Sequence, residues 1–204
     1  LEYTRLAFDL SETFDTPVIV RATTRLSHTR SPVVLGPRTE VAAKGWVDDS
    51  KKTVMIPGYA RLRHPLVVER VEKLSEHFSD SPLNRWDKGD TSYGIITHGT
   101  CYPYVKEVVP DASILKMAVS YPLPEKLIRE FAATVDRVII VEELEPVLEI
   151  EVRAMGIEAE GKAFFPRVGE LAPEVVREGL AKAGLIEAPP AAHDWEVKPI
   201  MRPP

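Results

Sequence analysis

The spacing of apolar residues from position 90 onward predicts alternating strands and helices. Short apolar runs of the kind found in buried strands alternate with stretches whose apolar residues recur at helical spacing. The predicted strands and, after each, its helix are 92–100 and 101–109, 112–120 and 124–135, 137–144 and 145–156, and 158–165 and 172–184. Because right-handed crossovers leave few other arrangements, this order predicts an α/β fold with a small, parallel, doubly wound sheet.

The chain before residue 90 has a different pattern. A stripe of apolar residues predicts an amphipathic helix at the start: Tyr3, Leu6, Ala7, Leu10 and Phe14. The apolar run 18–20, which follows Pro17, is typical of a strand buried on both faces of a parallel sheet. One helix and one strand cannot form a domain, so we expect the rest of that strand's sheet to lie outside this chain.

Residues 31–89 predict a connector. Glycine and proline interrupt its first half, where we expect a short strand at 53–56. A helix is predicted to begin with Pro65 in its first turn and to continue to Phe78. The predicted organisation is therefore a helix and strand at 1–30, the connector at 31–89, an α/β domain at 90–186 and a proline-rich linker at 187–204.

Composition narrows the function classes. The formal net charge of −5 argues against a nucleic-acid or anionic-membrane surface, because neutralising phosphates takes an excess of Lys and Arg. No apolar stretch reaches the roughly eighteen residues of a membrane span, and no leader pattern opens the chain, so we expect a cytoplasmic protein. The single cysteine, Cys101, excludes an internal disulfide and a four-thiolate metal site built from this chain alone.

Polar residues that follow predicted strands are candidates for a ligand site, because parallel sheets bind ligands at the carboxyl ends of their strands. Arg25, Ser27 and His28 follow the run 18–20. They form either a substrate entrance or subunit interface, or a set of strand caps that bridge domains, and the structural reading is preferred.

A second candidate pocket lies at the ends of the first three strands of the α/β domain. Its residues are His98, Thr100, Tyr121 and Glu142, with Glu143 beside them. The turn "THGTC" is not a G-x-G-x-x-G dinucleotide fingerprint, so a structural role is again preferred. The acidic residues before the third helix are more simply explained by attraction to its positive end. Cys101, at a helix start but without a neighbouring base, is read as an inert thiol.

Four stretches resemble the α subunit of the indolepyruvate:ferredoxin oxidoreductases, which are thiamine-diphosphate-dependent 2-oxoacid:ferredoxin oxidoreductases. They are "SETFDTPVIVRATTRLSHTRS", "MIPGYARLRHP", "SPLNRWDKGDTSYGIITHGTCYPYVKEVVPDASILKMAVSYPLPEKLIREF" and "DRVIIVEELEPVLEIEVRAMG". The resemblance implies that residues 1–30 are the end of a pyrimidine-binding thiamine domain and that 90–186 is a transketolase C-terminal-like domain. It therefore implies an internal fragment with a mainly architectural role.

The resemblance also implies the partners and cofactors of the full enzyme. That enzyme decarboxylates arylpyruvates to acyl-CoA with thiamine diphosphate, magnesium and 4Fe-4S clusters, using coenzyme A, ferredoxin and a β subunit. None of these cofactors is expected in this chain, because the cluster cysteines and a Gly-Asp-Gly magnesium motif are absent and the family's glutamate lies upstream of Leu1. The isolated chain is expected to be inactive.

Several alternatives stay open. The chain is either part of such an enzyme, with indolepyruvate, pyruvate or another 2-oxoacid as substrate, or a self-contained module that binds a small anionic ligand at the strand ends. The basic connector residues, among them Lys52 and Arg63, have three possible roles: they bind acidic ferredoxin, they bind coenzyme A phosphates, or they form a solvated surface. The apolar residues of 1–30 either pack on the α/β domain or associate between chains, which would give a homo-oligomer.

Overall fold

The computed structural model describes residues 2–188 except 39, 44 and 47, so most of the predicted linker 187–204 lies outside the described residues. The chain divides into two compact units, one up to Glu72 and the other from Lys73 on. In the described residues, the first unit contains three helices and most of a fourth: α1 (Glu2–Phe14), α2 (Thr24–Ser27), α3 (Ser50–Thr53) and α4 (Pro57–Ser79). The predicted helix at the start of the chain is confirmed.

The strand predicted at 18–20 is not formed within the described residues. Residues 17–23 have no regular secondary structure, and Ile19 is 91% exposed. A strand needs a neighbour for its backbone hydrogen bonds, and no described strand pairs with this run. The apolar run is suited to burial. Within the described residues, however, its side chains remain exposed.

The connector also differs from its prediction at two places. The strand expected at 53–56 is wrong, because α3 ends at Thr53; its first turn is capped by the Asp49 carboxylate, which accepts a hydrogen bond from the Lys52 amide at 3.1 Å. α4 begins at Pro57, eight residues before the predicted start, and Pro65 lies inside it. Pro57 takes the first-turn position that suits a residue without an amide hydrogen.

The second unit has the predicted alternation of strands and helices, with one addition. Its elements after α4 are β1 (Arg85–Asp87), β2 (Asp90–His98), α5 (Cys101–Val108), β3 (Ala112–Met117), α6 (Glu125–Ala132), β4 (Val138–Val141), α7 (Val147–Ala154), β5 (Ala159–Glu160) and α8 (Pro173–Lys182). The sheet order is β1-β3-β2-β4-β5. β2 to β5 are parallel to their neighbours, whereas the unpredicted β1 is antiparallel to β3.

The two faces of the sheet bury separate sets of helices. The cluster on one face joins α5 and α8 to the sheet through Val105, Val176, Leu180, Ile95, Ile114 and Ile139. The cluster on the other face joins α6 and α7 to it through Ile128, Phe131, Val152, Ile96, Leu115 and Ile140. Successive residues such as Ile95 and Ile96 point to opposite faces, as the pleat requires. The doubly wound α/β fold is therefore confirmed.

The strand order places a topological switch point between β2 and β4, at the carboxyl ends of these strands. β2 connects to β3 on one side of the sheet, whereas β4 connects to β5 on the other side. Doubly wound folds bind ligands where the connections diverge in this way. This edge of the sheet is the place at which to look for a functional site.

Candidate functional site at the strand ends

The ends of β2 and β4 bring His98 and Glu142 together. The His98 Nε2 atom lies 4.0 Å from the Glu142 Oε2 atom. One residue earlier in β2, the Thr97 hydroxyl donates to the Val141 carbonyl oxygen at 2.7 Å and ties the two strands. Two of the four residues predicted for this pocket therefore lie close to each other.

The Glu142 side chain caps the amino end of α7. Its side chain is buried, and its two oxygens accept hydrogen bonds of 2.9 Å from the amides of Leu148 and Glu149. The positive end of a helix favours a carboxylate in this position, and hydrogen bonds to a charged acceptor are stronger than neutral ones. The helix end that would attract an anionic ligand is thus already filled.

Glu149 and Lys162 extend this polar network. The buried Glu149 carboxylate pairs with Arg153 Nη2 at 2.9 Å and accepts from the Lys162 amide at 2.8 Å. The Lys162 ammonium donates to the Glu142 carbonyl oxygen at 2.5 Å and to the Pro166 carbonyl oxygen at 3.3 Å. Burial lowers the pKa of the Lys162 ammonium. These contacts fasten the segment after β5 to the strand ends.

Gly161 makes the close approach of this segment possible. A Cβ atom at Gly161 would lie 2.5 Å from the Glu149 Oε2 atom and 3.2 Å from the Ile140 carbonyl oxygen. Any larger residue would therefore push the segment away from the carboxylate that holds it. Neither Lys162 nor Glu149 was predicted as part of the site. The sequence did contain one indication that Glu149 belongs to the site: this charged residue lies between the apolar residues Leu148 and Val152, on the buried side of α7.

Cys101 is the first residue of α5, and its thiol is close enough to Glu143, Glu142 and Lys162 to feel their charges. It is 2% exposed, and burial raises the pKa of its thiol to about 12, with the charges of Glu143 and Glu142 acting in the same direction. The thiolate, which is the reactive form of cysteine, is therefore strongly disfavoured.

Thr100 and Tyr121 are the other two residues predicted for this pocket. Thr100 is half-buried at the N-cap position of α5 and makes no side-chain capping hydrogen bond. Tyr121 follows β3 and is 77% exposed. The segment between β3 and Tyr121 is held by the Asn84 side-chain oxygen, which accepts from the Ala118 amide at 2.9 Å. Tyr121 thus belongs to an exposed segment rather than to the polar network.

Arg25, Ser27 and His28 lie in the first unit, in or just after α2. The Ser27 hydroxyl donates to the Thr23 carbonyl oxygen at 3.0 Å, and His28 is exposed. The side chain of Arg25 lies outside the described part of the chain. These residues do not follow a strand of the described structure, and their role at a substrate entrance or subunit interface stays a prediction.

The basic connector residues include three that surround one carboxylate. Asp15 follows α1 with a φ of +50° and pairs with Lys52, with Arg70 Nη2 at 3.2 Å and with Arg63 Nη2 at 3.9 Å. The hydrogen bond from Lys52 lowers the pKa of Asp15, and the charges of the two arginines add to the effect. Lys52 and Arg63 are therefore engaged within the first unit.

Neither a metal-binding cluster nor a membrane-spanning helix is found among the described residues. No group of three or more His, Cys, Asp or Glu side chains among the described residues is arranged to hold a metal ion. No helix in the described part of the chain is both long and apolar enough to cross a bilayer.

A solved structure places the fold in a structural class. The 2-oxoglutarate:ferredoxin oxidoreductase from Magnetococcus marinus, solved with 2-oxoglutarate, coenzyme A and succinyl-CoA bound, resembles this chain with a TM-score of 0.50 and 20% sequence identity. The likeness covers 64% of this chain and 24% of that chain. At this identity it shows a shared fold, which is consistent with a transketolase C-terminal-like domain.

Sequence relatives indicate the protein family more specifically than the solved structure does. The chain is 39% identical over 191 residues to the indolepyruvate oxidoreductase subunit IorA of Archaeoglobus fulgidus, covering 89% of this chain and 31% of that protein. It is 39% identical over 207 residues to the subunit of the same name from Thermococcus kodakarensis, covering 92% of this chain and 32% of that protein. No family model matches the chain. These matches confirm the resemblance to indolepyruvate oxidoreductase α subunits, of which the chain spans about a third.

Proposed function

We propose that this chain is part of the α subunit of a 2-oxoacid:ferredoxin oxidoreductase that converts arylpyruvates such as indolepyruvate to acyl-CoA. The observation that carries the proposal is the 39% identity to subunits named indolepyruvate oxidoreductase over 89–92% of this chain. Ferredoxin, coenzyme A and a β subunit are the partners that this assignment requires.

Within such a subunit, we assign the chain an architectural role. Thiamine diphosphate does not fit the strand ends, because Glu142 already takes the Leu148 and Glu149 amides and its carboxylate would repel a diphosphate. Cys101, buried and with a thiol pKa of about 12, is a poor iron–sulfur ligand. The cofactors of the full enzyme therefore belong to other parts of the polypeptide.

The alternative of a small anionic ligand at the strand ends has less support. His98, with about a third of its side chain exposed at the end of β2, is the residue that favours such a site. Glu142, Glu143 and Glu149 outnumber the two cations of this network, Lys162 and Arg153. A thermal-shift screen of phosphates and coenzyme A derivatives tests this alternative, because a ligand that binds the folded chain raises its melting temperature.

A segment exchange tests the proposed function. The matched third of the Archaeoglobus fulgidus subunit is replaced by this chain, and the chimera is assembled with the β subunit and assayed for indolepyruvate-dependent reduction of ferredoxin. We expect the chimera to keep activity, whereas the same subunit lacking this third should lose it. A folded chimera that binds thiamine diphosphate but does not turn over would contradict the proposal.

The same chimera tests the architectural role. If this chain only supports the cofactor domains, the ratio of kcat/KM for indolepyruvate to that for pyruvate should stay within about threefold of the parent ratio. A larger change would mean that residues of this chain shape the substrate pocket. Isothermal titration of the isolated chain with thiamine diphosphate and magnesium should give no stoichiometric heat.

A further inference from the structure

The first unit is rich in apolar residues that nothing in the described structure buries. None of the described residues 2–72 is buried. Of the twenty-four exposed large apolar residues in the described part of the chain, nineteen lie in this unit. Exposed apolar surface of this kind marks interfaces, because a soluble chain rarely leaves it open to water.

α4 shows where such an interface lies. Leu62 and Leu66, one turn apart on one side of the helix, are 67% and 47% exposed. Val68, well around the helix from them, is 45% exposed, and Val71, between these sides, is half-buried. α4 also carries charged residues, but its exposed large apolar side chains are not confined to one side, and such side chains indicate contacts with another surface. Leu62, Leu66 and Val68 form what we call the α4 apolar surface.

The sequence relatives indicate what covers this surface. Their matches span 89–92% of this chain, so they cannot be confined to the part from Lys73 on and must include most of the first unit. The relatives carry this segment in polypeptides of which it makes up only 31–32%. The rest of such a polypeptide is tethered next to the surface at high effective concentration.

We propose that the α4 apolar surface is an interface within the α subunit, covered by the part of the subunit polypeptide that lies outside this chain. This inference rests on the proposed function. Its occupant presents apolar side chains, because Leu62, Leu66 and Val68 offer no hydrogen-bonding groups. A second copy of this chain is the competing occupant, and the experiment separates the two.

Cysteine labelling measures whether the surface is covered. Leu62→Cys is compared with Lys126→Cys, a matched control on α6 whose side chain is 63% exposed. Each variant is treated with a maleimide, as the isolated chain and within the chimeric α subunit, and mass spectrometry identifies the modified peptide. The native Cys101 is 2% exposed and gives little background.

In the isolated chain, we expect both introduced thiols to react at similar rates. In the chimeric subunit, Leu62→Cys should react at least about tenfold more slowly, while Lys126→Cys changes little. Equal reactivity of Leu62→Cys in both settings would overturn the proposal. Protection in the isolated chain that is lost on dilution would also overturn it, in favour of a second copy.

The labelling result is independent of turnover. An active chimera with a reactive Leu62→Cys would reject the interface alone, whereas an inactive chimera with a protected Leu62→Cys would reject the proposed activity alone. If the chimera is insoluble, this chain is co-expressed with the remainder of the Archaeoglobus fulgidus subunit as separate polypeptides. The same protection is then expected, and its absence in an isolated complex would contradict the interface.

Discussion

At the scale of single residues, Glu142 shows how backbone amides hold a buried carboxylate. Its carboxylate accepts two amide hydrogen bonds at the start of α7 and lies 4.0 Å from the His98 ring nitrogen. Removing the carboxylate lowers the free energy of unfolding by more than the hydrogen bonds add to it, because the buried amides are left without water or another acceptor.

Glu142→Ala should therefore lower the free energy of unfolding by about 3 kcal/mol, as expected for two buried amides left unpaired. Glu142→Gln should cost less, because its carbonyl oxygen still accepts one of the two bonds. Glu145→Ala is the control, since Glu145 is exposed and pairs with Arg167 at the surface. Urea unfolding followed by circular dichroism measures all three; equal stabilities for Glu142→Ala and Glu145→Ala would contradict this account.

Cys101 gives a second prediction at this scale. With a thiol pKa of about 12 and 2% exposure, it should not react with a maleimide at pH 8 under native conditions. In urea the same thiol should react fully. Mass spectrometry of the labelled chain measures both, and rapid labelling of the folded chain would show that the first turn of α5 opens readily.

At the scale of elements, the contact between β2 and α6 depends on the absence of a side chain. A Cβ atom at Gly94 would lie 2.6 Å from the Phe131 ring and 2.9 Å from Val135 Cγ1. Phe131 is fully buried and also packs edge-on against Trp86, with ring centroids 5.4 Å apart. The ring therefore cannot move aside without disturbing a second contact.

Gly94→Ala should destabilise the second unit by about 2 kcal/mol, the usual cost of overpacking a core. Gly36→Ala, where an added Cβ meets nothing within 4 Å, is the matched control and should be nearly neutral. Thermal unfolding followed by Trp fluorescence compares the two variants. An unchanged melting temperature for Gly94→Ala would mean that α6 can shift away from β2.

The elements also show what the sequence can and cannot predict. The parallel strands β2, β3 and β4 and their helices were predictable because each strand contains an apolar run, as at 138–141, and lies next to a helix with one apolar face. β1 was not, because only Trp86 of its three residues is apolar and its pairing with Leu115 is a long-range choice. The run 18–20 is not a strand here because apolar residues favour burial but do not supply a pairing partner, and its predicted sheet was expected outside this chain.

The candidate site was predictable to a similar extent. His98 and Glu142 follow strands, so their proximity could be expected from the parallel fold. The role of Lys162 could not, because it contacts the Glu142 carbonyl oxygen across twenty residues of chain and depends on how the segment after β5 folds back.

At the scale of the whole molecule, the two units differ in what holds them together. The second unit has two apolar clusters, whereas α1, α3 and α4 of the first unit meet through ion pairs to Asp15. Such partly exposed pairs contribute at most about 1 kcal/mol each and weaken with salt. The first unit in isolation should therefore be the less stable one.

Asp15→Asn should speed amide hydrogen exchange in α1, and added salt should have the same effect on the native chain. Because the pKa of Asp15 is lowered in the folded state, its contribution is present above the ordinary aspartate value and is lost as pH falls through the lowered one. The native chain should thus lose protection in α1 below about pH 4, and Asp15→Asn should not. Asp9→Asn, on the same helix, is the control; equal exchange in both variants would contradict the role of Asp15.

The outermost strands of the sheet determine how readily this domain can pair with strands of other molecules. β1 has three residues, two of them charged, and β5 has two residues. Edge strands of this length expose few unpaired backbone amide and carbonyl groups to a strand of another molecule. The two edges of the sheet should therefore recruit few strands from neighbouring molecules.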